Sequence, residues 1–208
     1  MNREQDPKGQ VRDLVREKYA RVAKGNSSGC ASGCCGEVVS LETIKTYGEA
    51  LDYQSEDLLL APGEANLGLG CGNPIGMADL KPGETVLDLG SGAGFDAFLA
   101  AGRVGGSGRV IGIDMTHEMV QKARQNAETL NISNVDFRLG IIEELPVSND
   151  SVDVILSNCV INLSPDKRAV FEEMHRCLKP GGRILISDIL RCGAFPDEIQ
   201  DDPEAYTA

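Results

Sequence analysis

The most constraining feature of this chain is the stretch DLGSGAG, residues 88–94, set between an apolar run and an amphipathic one. Glycines at 90, 92 and 94 let the backbone turn tightly and approach a ligand where any Cβ would collide. The run leading in, TVLDLG (85–90), reads as a short buried strand, and GFDAFLAAGRV leads out as a helix. The alternation then repeats. RVIGID (109–114) is a second strand, THEMVQKARQNAETLN a helix with Thr116 at its N-cap, VDFRLG (135–140) a third strand and SVDVILSN (151–158) a fourth. SPDKRAVFEEMHRCL gives a helix ended by KPGG, and RILISDIL (183–190) a fifth strand. Strands alternating with helices predict an α/β fold, a Rossmann-like doubly wound parallel sheet.

Upstream, residues 11–24 place Val11, Leu14, Val15, Lys18, Tyr19 and Val22 at helical spacing, which predicts an amphipathic helix covering another surface. GNSSGCASGCCG (25–36) is a Gly/Ser loop carrying Cys30, Cys34 and Cys35, and GLGCGNP (68–74) is a second loop around Cys71. The expected organisation is a helical cap with cysteine-bearing loops over residues 1–80 and a core over 81–208. The last 18 residues are acidic and nonperiodic. A fifth strand left as sheet edge would expose unpaired backbone groups, so a C-terminal part of the fold is expected to be missing.

A net charge of −12 argues against nucleic acid, whose backbone demands clustered Lys and Arg. No apolar run approaches the ~20 residues of a spanning helix and no leader is visible, so no membrane partner and a cytoplasmic location are expected. Seven cysteines point in a reducing compartment to metal, metalloid or redox chemistry. Their odd number and irregular spacing argue against a disulfide framework. The three in the N-terminal loop lack the paired spacing and fourth ligand of a zinc site.

Asp114 ends the second strand, placed to accept hydrogen bonds from both hydroxyls of a ribose. The glycine spacing is G-x-G-x-G with Phe95 following, which departs from the dinucleotide fingerprint and disfavours a nicotinamide oxidoreductase. With no pyrophosphate to cradle, Asp88 is free to face a positively charged amino-acid tail. DLGSGAG, VIGID, RLGIIEELP and LKPGGRILISD together resemble the class I S-adenosylmethionine-dependent methyltransferases over roughly residues 81–190. The resemblance implies that Asp88 and the loop of Gly90, Ser91, Gly92 and Gly94 hold the methionine moiety. It gives Asp114, with Met115, the ribose side, and Ile142 with Glu143 the adenine. The family commonly has an acid directly after the third strand's glycine, where this chain has Ile141.

Methyl transfer to oxygen or nitrogen calls for a general base near the fourth strand. The chain's two histidines, His117 and His175, fall within predicted helices and read as solvated. The fourth strand ends instead in SNCVINL, with Asn158 expected to serve the cofactor. Cys159 is either inert packing or a ligand for something soft. Cys71 lies in a glycine-flanked loop able to fold over the sheet's carboxyl edge and bring a second thiol to Cys159. Convergent thiolates without histidine suit a thiophilic centre.

LGLGCGNP, LKPGETVLDLGSGAGFDAFLAA and SNCVINLSPDK together resemble the arsenite methyltransferases from about residue 11 onward. This implies methylation of arsenite or methylarsenite bound by Cys71 and Cys159, S-adenosylmethionine as methyl donor, arsenic detoxification, and a thiol reductant of the glutathione or thioredoxin type. The family's third arsenic-binding cysteine lies after the fifth strand, and Cys192 follows that strand too closely to match it. The GCASGCC segment resembles the family's N-terminal cysteine region, which can deliver arsenic or pair with the Cys71 equivalent, through one of Cys30, Cys34 and Cys35, with Cys34 and Cys35 the further candidate ligands. The competing readings are a small-molecule C- or O-methyltransferase with incidental thiols, and an arsenic-binding module without turnover.

Overall fold

Val86, Leu87 and Leu89 are all fully buried, so strand β1 (Thr85–Leu89) is covered on both faces. A parallel sheet sandwiched between helices meets that requirement. The computed structural model describes residues 7–25, 46, 48–51, 53–54, 58, 65–190 and 192–193. Cys30, Cys34, Cys35 and the acidic segment beyond residue 193 lie outside the described residues. The remaining strands are β2 (Arg109–Asp114), β3 (Val135–Leu139), β4 (Val152–Asn158) and β5 (Leu178–Ser187). They form one five-stranded sheet in the order β3-β2-β1-β4-β5, parallel throughout. The chain builds outward from β1 through β2 to β3, then returns to the other side of β1 for β4 and β5.

The helices are α1 (Pro7–Ala23), α2 (Pro74–Met77), α3 (Phe95–Val104), α4 (His117–Thr129) and α5 (Lys167–Cys177). One core packs Val86, Val110 and Leu156 against Ala97, Ala101 and Val104 of α3 and Val120 and Ala123 of α4. The second packs Leu87, Ile111 and Ile155 against Val170, Met174 and Cys177 of α5. Alternate residues of β1 therefore feed opposite cores, as the period of a strand requires. In β4 the alternation slips. Val152 and Ile155 share a core because the pairing with β5 shifts register between Val152 and Val154.

Two elements differ from expectation. β5 starts at Leu178, directly after α5, so KPGG belongs to the strand and is not a stop loop. Leu178 pairs with Val152, and a Cβ on Gly182 would come within 2.9 Å of the Asp153 carbonyl oxygen, so the glycine permits that close pairing. Lys179 also bonds the Asp153 carboxylate, which accepts from the Thr85 amide at 2.8 Å and so joins the starts of β1, β4 and β5. α1 begins at Pro7, where proline's missing N–H costs nothing in the first turn. Val15 and Val22 anchor it, and pairs from Lys8 to Asp166, Arg12 to Glu143 and Lys24 to Glu118 tie its length to the core. Thr116 holds the N-cap position of α4, but its side chain makes no cap bond. Its backbone N–H donates to Asp114 Oδ1 at 2.8 Å instead.

Arg183 pins β5 to the approach of β1. Its guanidinium meets both oxygens of Glu84, at 2.6 and 2.9 Å, and the carbonyl oxygens of Ala78 and Asp79, each at 2.9 Å. Replacing Arg183 by Met keeps the stem and strands these acceptors. The expected loss is about 2 kcal/mol, read as a lowered urea midpoint at unchanged slope.

Candidate active site

β1 and β4 end side by side where the strand order reverses, with Leu89 opposite Ser157. Outgoing loops part at such a point and leave a crevice at the carboxyl ends of the strands. Here the crevice has a cavity volume of about 140 Å³. Its walls include Arg12, Val15 and Tyr19 of α1, the 88–96 turn, Asp114 to Thr116, Ile142 and Glu143, and Asn158 to Val160.

The glycine turn is held rigidly from several directions. Gly90 has φ 66°, and a Cβ there would lie 2.5 Å from Val160. Gly94 has φ 99° and would drive a Cβ into the rings of Phe98 and Phe137. The Ser91 amide donates to the Ile113 carbonyl at 2.9 Å, and the buried Asn126 side chain donates to the Ala93 carbonyl at 3.1 Å. The Gly92 amide donates to Asp114 Oδ2 at 3.0 Å, so the acid ending β2 also orders the turn. Ser91 is buried, and its hydroxyl has no partner among the described residues.

Three acids surround this turn. Asp88 is almost fully buried, and its Oδ2 has no hydrogen-bond partner among the described residues. Burial, then the charges of Asp96 and Asp114, push its carboxyl well above the usual carboxylate range. Burial also raises Asp96, against hydrogen bonds from Tyr53 (2.6 Å) and Asn158 (2.8 Å) that pull it down. Asp114 is raised by desolvation against the Thr116 and Gly92 amides. Burial and the Asp96 charge keep the Tyr53 phenol far above its ordinary pKa, hence neutral. Such a cluster, with no cation paired to it among the described residues, fits a positively charged ligand. Ile142, also in the crevice wall, is buried. Glu143 Oε1 accepts from Ser164 Oγ at 2.7 Å and Arg12 Nε at 3.3 Å.

Cys71 and Cys159 converge where β4 ends, Cys71 through its amide on Asn158. Cys159 follows Asn158 with φ 58°, a left-handed conformation that costs about 1 kcal/mol or more with a Cβ. Its N–H donates to the Ser187 carbonyl at 2.8 Å. Burial, then a hydrogen bond and charge interaction with the Cys71 thiol, then Asp188, push the Cys159 thiol up to about 12. Cys71 Sγ also lies 3.7 Å from Ser187 Oγ. Its flanking glycines are explained by what they touch: a Cβ on Gly70 would come within 2.7 Å of Asn158 Nδ2, and one on Gly72 would collide with Ser187 Oγ. Tyr19 reaches from α1 toward the same place, and burial with Cys159, Asp114 and Asp188 pushes its phenol up to about 12.

The structure thus brings Cys159 and Asn158 together with Asp88, Gly90, Ser91, Gly92, Asp114, Met115, Ile142 and Glu143 around one crevice, and Cys71 lies beside it, its amide bonded to Asn158. His117 and His175 are exposed on their helices. Cys177 is buried in the core, its Sγ 3.8 Å from the Val147 carbonyl oxygen, and Cys192 is exposed. Among the described residues no cluster of three or more His, Cys, Asp or Glu side chains is arranged to hold a metal ion. Tyr53, Asp96, Tyr19 and Ser187 were not visible as site residues in the sequence. Tyr53 sits in a segment with no period, and Asp96 opens a helix where an acid reads as an ordinary first-turn residue.

The sign of the acid cluster's effect on stability follows from linkage. The folded value of Asp88 is raised above the unfolded one, so its stabilisation is full below the ordinary carboxylate range and is lost as pH rises through the raised value. Asp96 and Asp114 act in the same direction. The urea midpoint of the ligand-free protein is therefore expected to fall as pH climbs from the ordinary carboxylate range toward neutrality. Asp88→Asn should flatten that slope, and an equally steep slope in the variant would refute the assignment.

Residues 80–208 match the family model described as a methyltransferase domain. The chain is 48% identical over 98% of its length to an arsenite methyltransferase of Halobacterium salinarum, covering 53% of that protein. It is 34% identical over 92% of its length to the human arsenite methyltransferase, covering 51% of it. Among solved structures it resembles an arsenic(III) S-adenosylmethionine methyltransferase from Chlamydomonas reinhardtii, at a TM-score of 0.59 and 41% identity. That match covers 65% of this chain and 48% of the other. The chain spans about half the length of the curated relatives it matches. With a glycine turn, an acid ending β2 and a crevice at the switch point of a parallel sheet, the chain belongs to the methyltransferase-domain family.

Proposed function

We propose that this chain methylates trivalent arsenic, with Cys71 and Cys159 holding the arsenic and S-adenosylmethionine as methyl donor. The observation that carries the reading is that Cys71 and Cys159, from distant parts of the chain, converge on Asn158 and Ser187, beside a glycine turn and a buried Asp88 oxygen without a hydrogen-bond partner among the described residues. The names of the Halobacterium and human relatives supply the element.

The residues present fit the donor. Asp88 Oδ2 and Ser91 Oγ are buried polar atoms without a hydrogen-bond partner among the described residues, and Gly92 lines the crevice where a Cβ would project into open space. Asp88 would take the ammonium group, Asp114 the ribose hydroxyls beside Met115, and Ile142 with Glu143 the adenine. When bound, S-adenosylmethionine supplies an electrophilic methyl group on a sulfonium sulfur. Asp88, Asp96 and Asp114 favour positive charge nearby.

A raised thiol pKa is no obstacle to arsenic binding. Arsenous acid condenses with two protonated thiols to give two As–S bonds and two waters, so the thiol protons leave with the arsenic hydroxyls. Arsenic held by two sulfurs keeps its lone pair, which is the nucleophile, and no general base is needed. Methylation raises arsenic formally from trivalent to pentavalent. Two electrons from a thiol reductant of the glutathione or thioredoxin type would return it to the trivalent state. The role is arsenic detoxification in the cytoplasm, with arsenite or methylarsenite as substrate. Cys34 and Cys35 are the candidates for delivering arsenic to the pair. No helix among the described residues is long and apolar enough to cross a membrane.

The test is incubation with arsenite or methylarsenite, S-adenosylmethionine and a thiol reductant, followed by separation of arsenic species. Methylated arsenic is expected, and Cys71→Ser and Cys159→Ser should each abolish it. Full activity in either variant would refute the site. Methylation of a carbon or oxygen acceptor, with no arsenic product, would replace the substrate.

A further inference from the structure

We infer that Asn158, Asp96 and Tyr53 form a positioning network whose task is to hold the Cys71 thiol against Cys159. The inference rests on the proposed arsenic site and gives it a mechanism of assembly. Asn158 is the hub. Its Oδ1 accepts from the Cys71 amide at 3.0 Å, and its Nδ2 donates to the Gly72 carbonyl at 2.9 Å and to Asp96 Oδ2 at 2.8 Å. A Cys71 amide can only donate and a Gly72 carbonyl can only accept, so the orientation of the Asn158 amide is dictated by its neighbours. Both Nδ2 protons are committed within the protein, as is one acceptor site of Oδ1. Asn158 therefore serves the cysteine loop, whereas its place in the sequence pointed to the cofactor.

The other two members complete the frame. Tyr53 Oη donates to Asp96 Oδ1 at 2.6 Å and lies 3.0 Å from the Gly72 carbonyl oxygen, while Asn158 Nδ2 approaches it at 3.2 Å. Asp96 is buried at the start of α3, next to the Gly94 turn, so one rigid element carries both the end of the cofactor loop and the anchor for Asn158. The loop from Gly70 to Gly72 makes no regular secondary-structure pairing that would fix it. Its backbone is instead held by a side-chain amide at both faces, and the glycines on each side of Cys71 let Asn158 and Ser187 come that close. Two ligands must converge on one arsenic atom, so a loop free to move by an ångström would separate them.

Asn158→Asp is close in shape and tests the charge logic. The new carboxylate still accepts from the Cys71 amide, but it opposes Asp96 and the Gly72 carbonyl where the amide donated. Tyr53→Phe removes one hydroxyl and guards against an Asn158 variant that fails to fold. The pairing Asn158→Asp with Asp96→Asn returns a donor opposite a carboxylate and should recover part of the loss.

Three measurements are made on each variant after circular dichroism shows a folded chain. The first is the rate of Cys71–Cys159 disulfide formation with diamide, read by peptide mass spectrometry. The second is S-adenosylhomocysteine affinity by calorimetry, and the third is the KM for methylarsenite. The expected result in the two single variants is ~10- to 100-fold slower cross-linking and a KM for methylarsenite raised by a similar factor, with unchanged S-adenosylhomocysteine affinity. Lost S-adenosylhomocysteine affinity with normal cross-linking would overturn the inference and make Asn158 a cofactor ligand. Normal values for all three in both single variants would overturn it as well. A wild type that cross-links readily yet methylates no arsenic sinks only the substrate, and the cross-linking rates then decide the network.

Discussion

The parallel pairing of β1 with β4 is the constraint on which everything else rests. These strands are far apart in sequence, and their register sets Leu89 opposite Ser157. One residue past Leu89 the chain must turn sharply at Gly90. Three residues past Ser157 it presents Val160, which occupies the place a Cβ on Gly90 would need. The glycine turn and the thiol at 159 are thus neighbours because two strands pair in one register. A slip by one residue would reverse every side chain of β4 between the two cores and carry Cys159 away from the crevice. The burial of Val154, Ile155 and Leu156 makes that slip prohibitive, so the hydrophobic core is what holds the thiol in place.

Much of this was legible in the sequence, for physical reasons that differ by element. β1, β2 and β4 are apolar runs bounded by glycine, asparagine or aspartate, and their extents fall within a residue of expectation. β5 was misjudged at its start because lysine, proline and two glycines read as a loop, while Asp153 and Val152 in the neighbouring strand draw them into the sheet. The glycine turn could be read because glycine at fixed spacing has a steric meaning that needs no partner. Cys71 and Cys159 stood out as cysteines without a histidine, and the fold brings both to Ser187 at the end of β5.

What stayed hidden were residues whose role exists only through a tertiary partner. Asp96 is unremarkable until the buried Tyr53 hydroxyl and the Asn158 amide close on it. Tyr19 belongs to a helical face that reads as packing, and only the placement of α1 across the crevice turns its phenol toward Cys159 and Asp114. Asn158 was visible as a polar residue at a strand end, but its partners come from a loop 87 residues upstream and from α3. Periodicity reports which face of an element is buried. It carries no information about which polar atom waits on the other side.

The left-handed backbone at Cys159 sets stability and reactivity at odds. A glycine there would adopt φ 58° without the Cβ penalty, and asparagine would bear it better than cysteine. Any selection for thermal resistance alone, in nature or in the laboratory, therefore pushes position 159 away from sulfur. The same holds for Asp88, whose desolvated carboxylate an apolar or amide residue would relieve. A consensus drawn for robustness would erase the two side chains proposed to give the crevice its chemistry, and the sturdiest version of this fold would be an empty one.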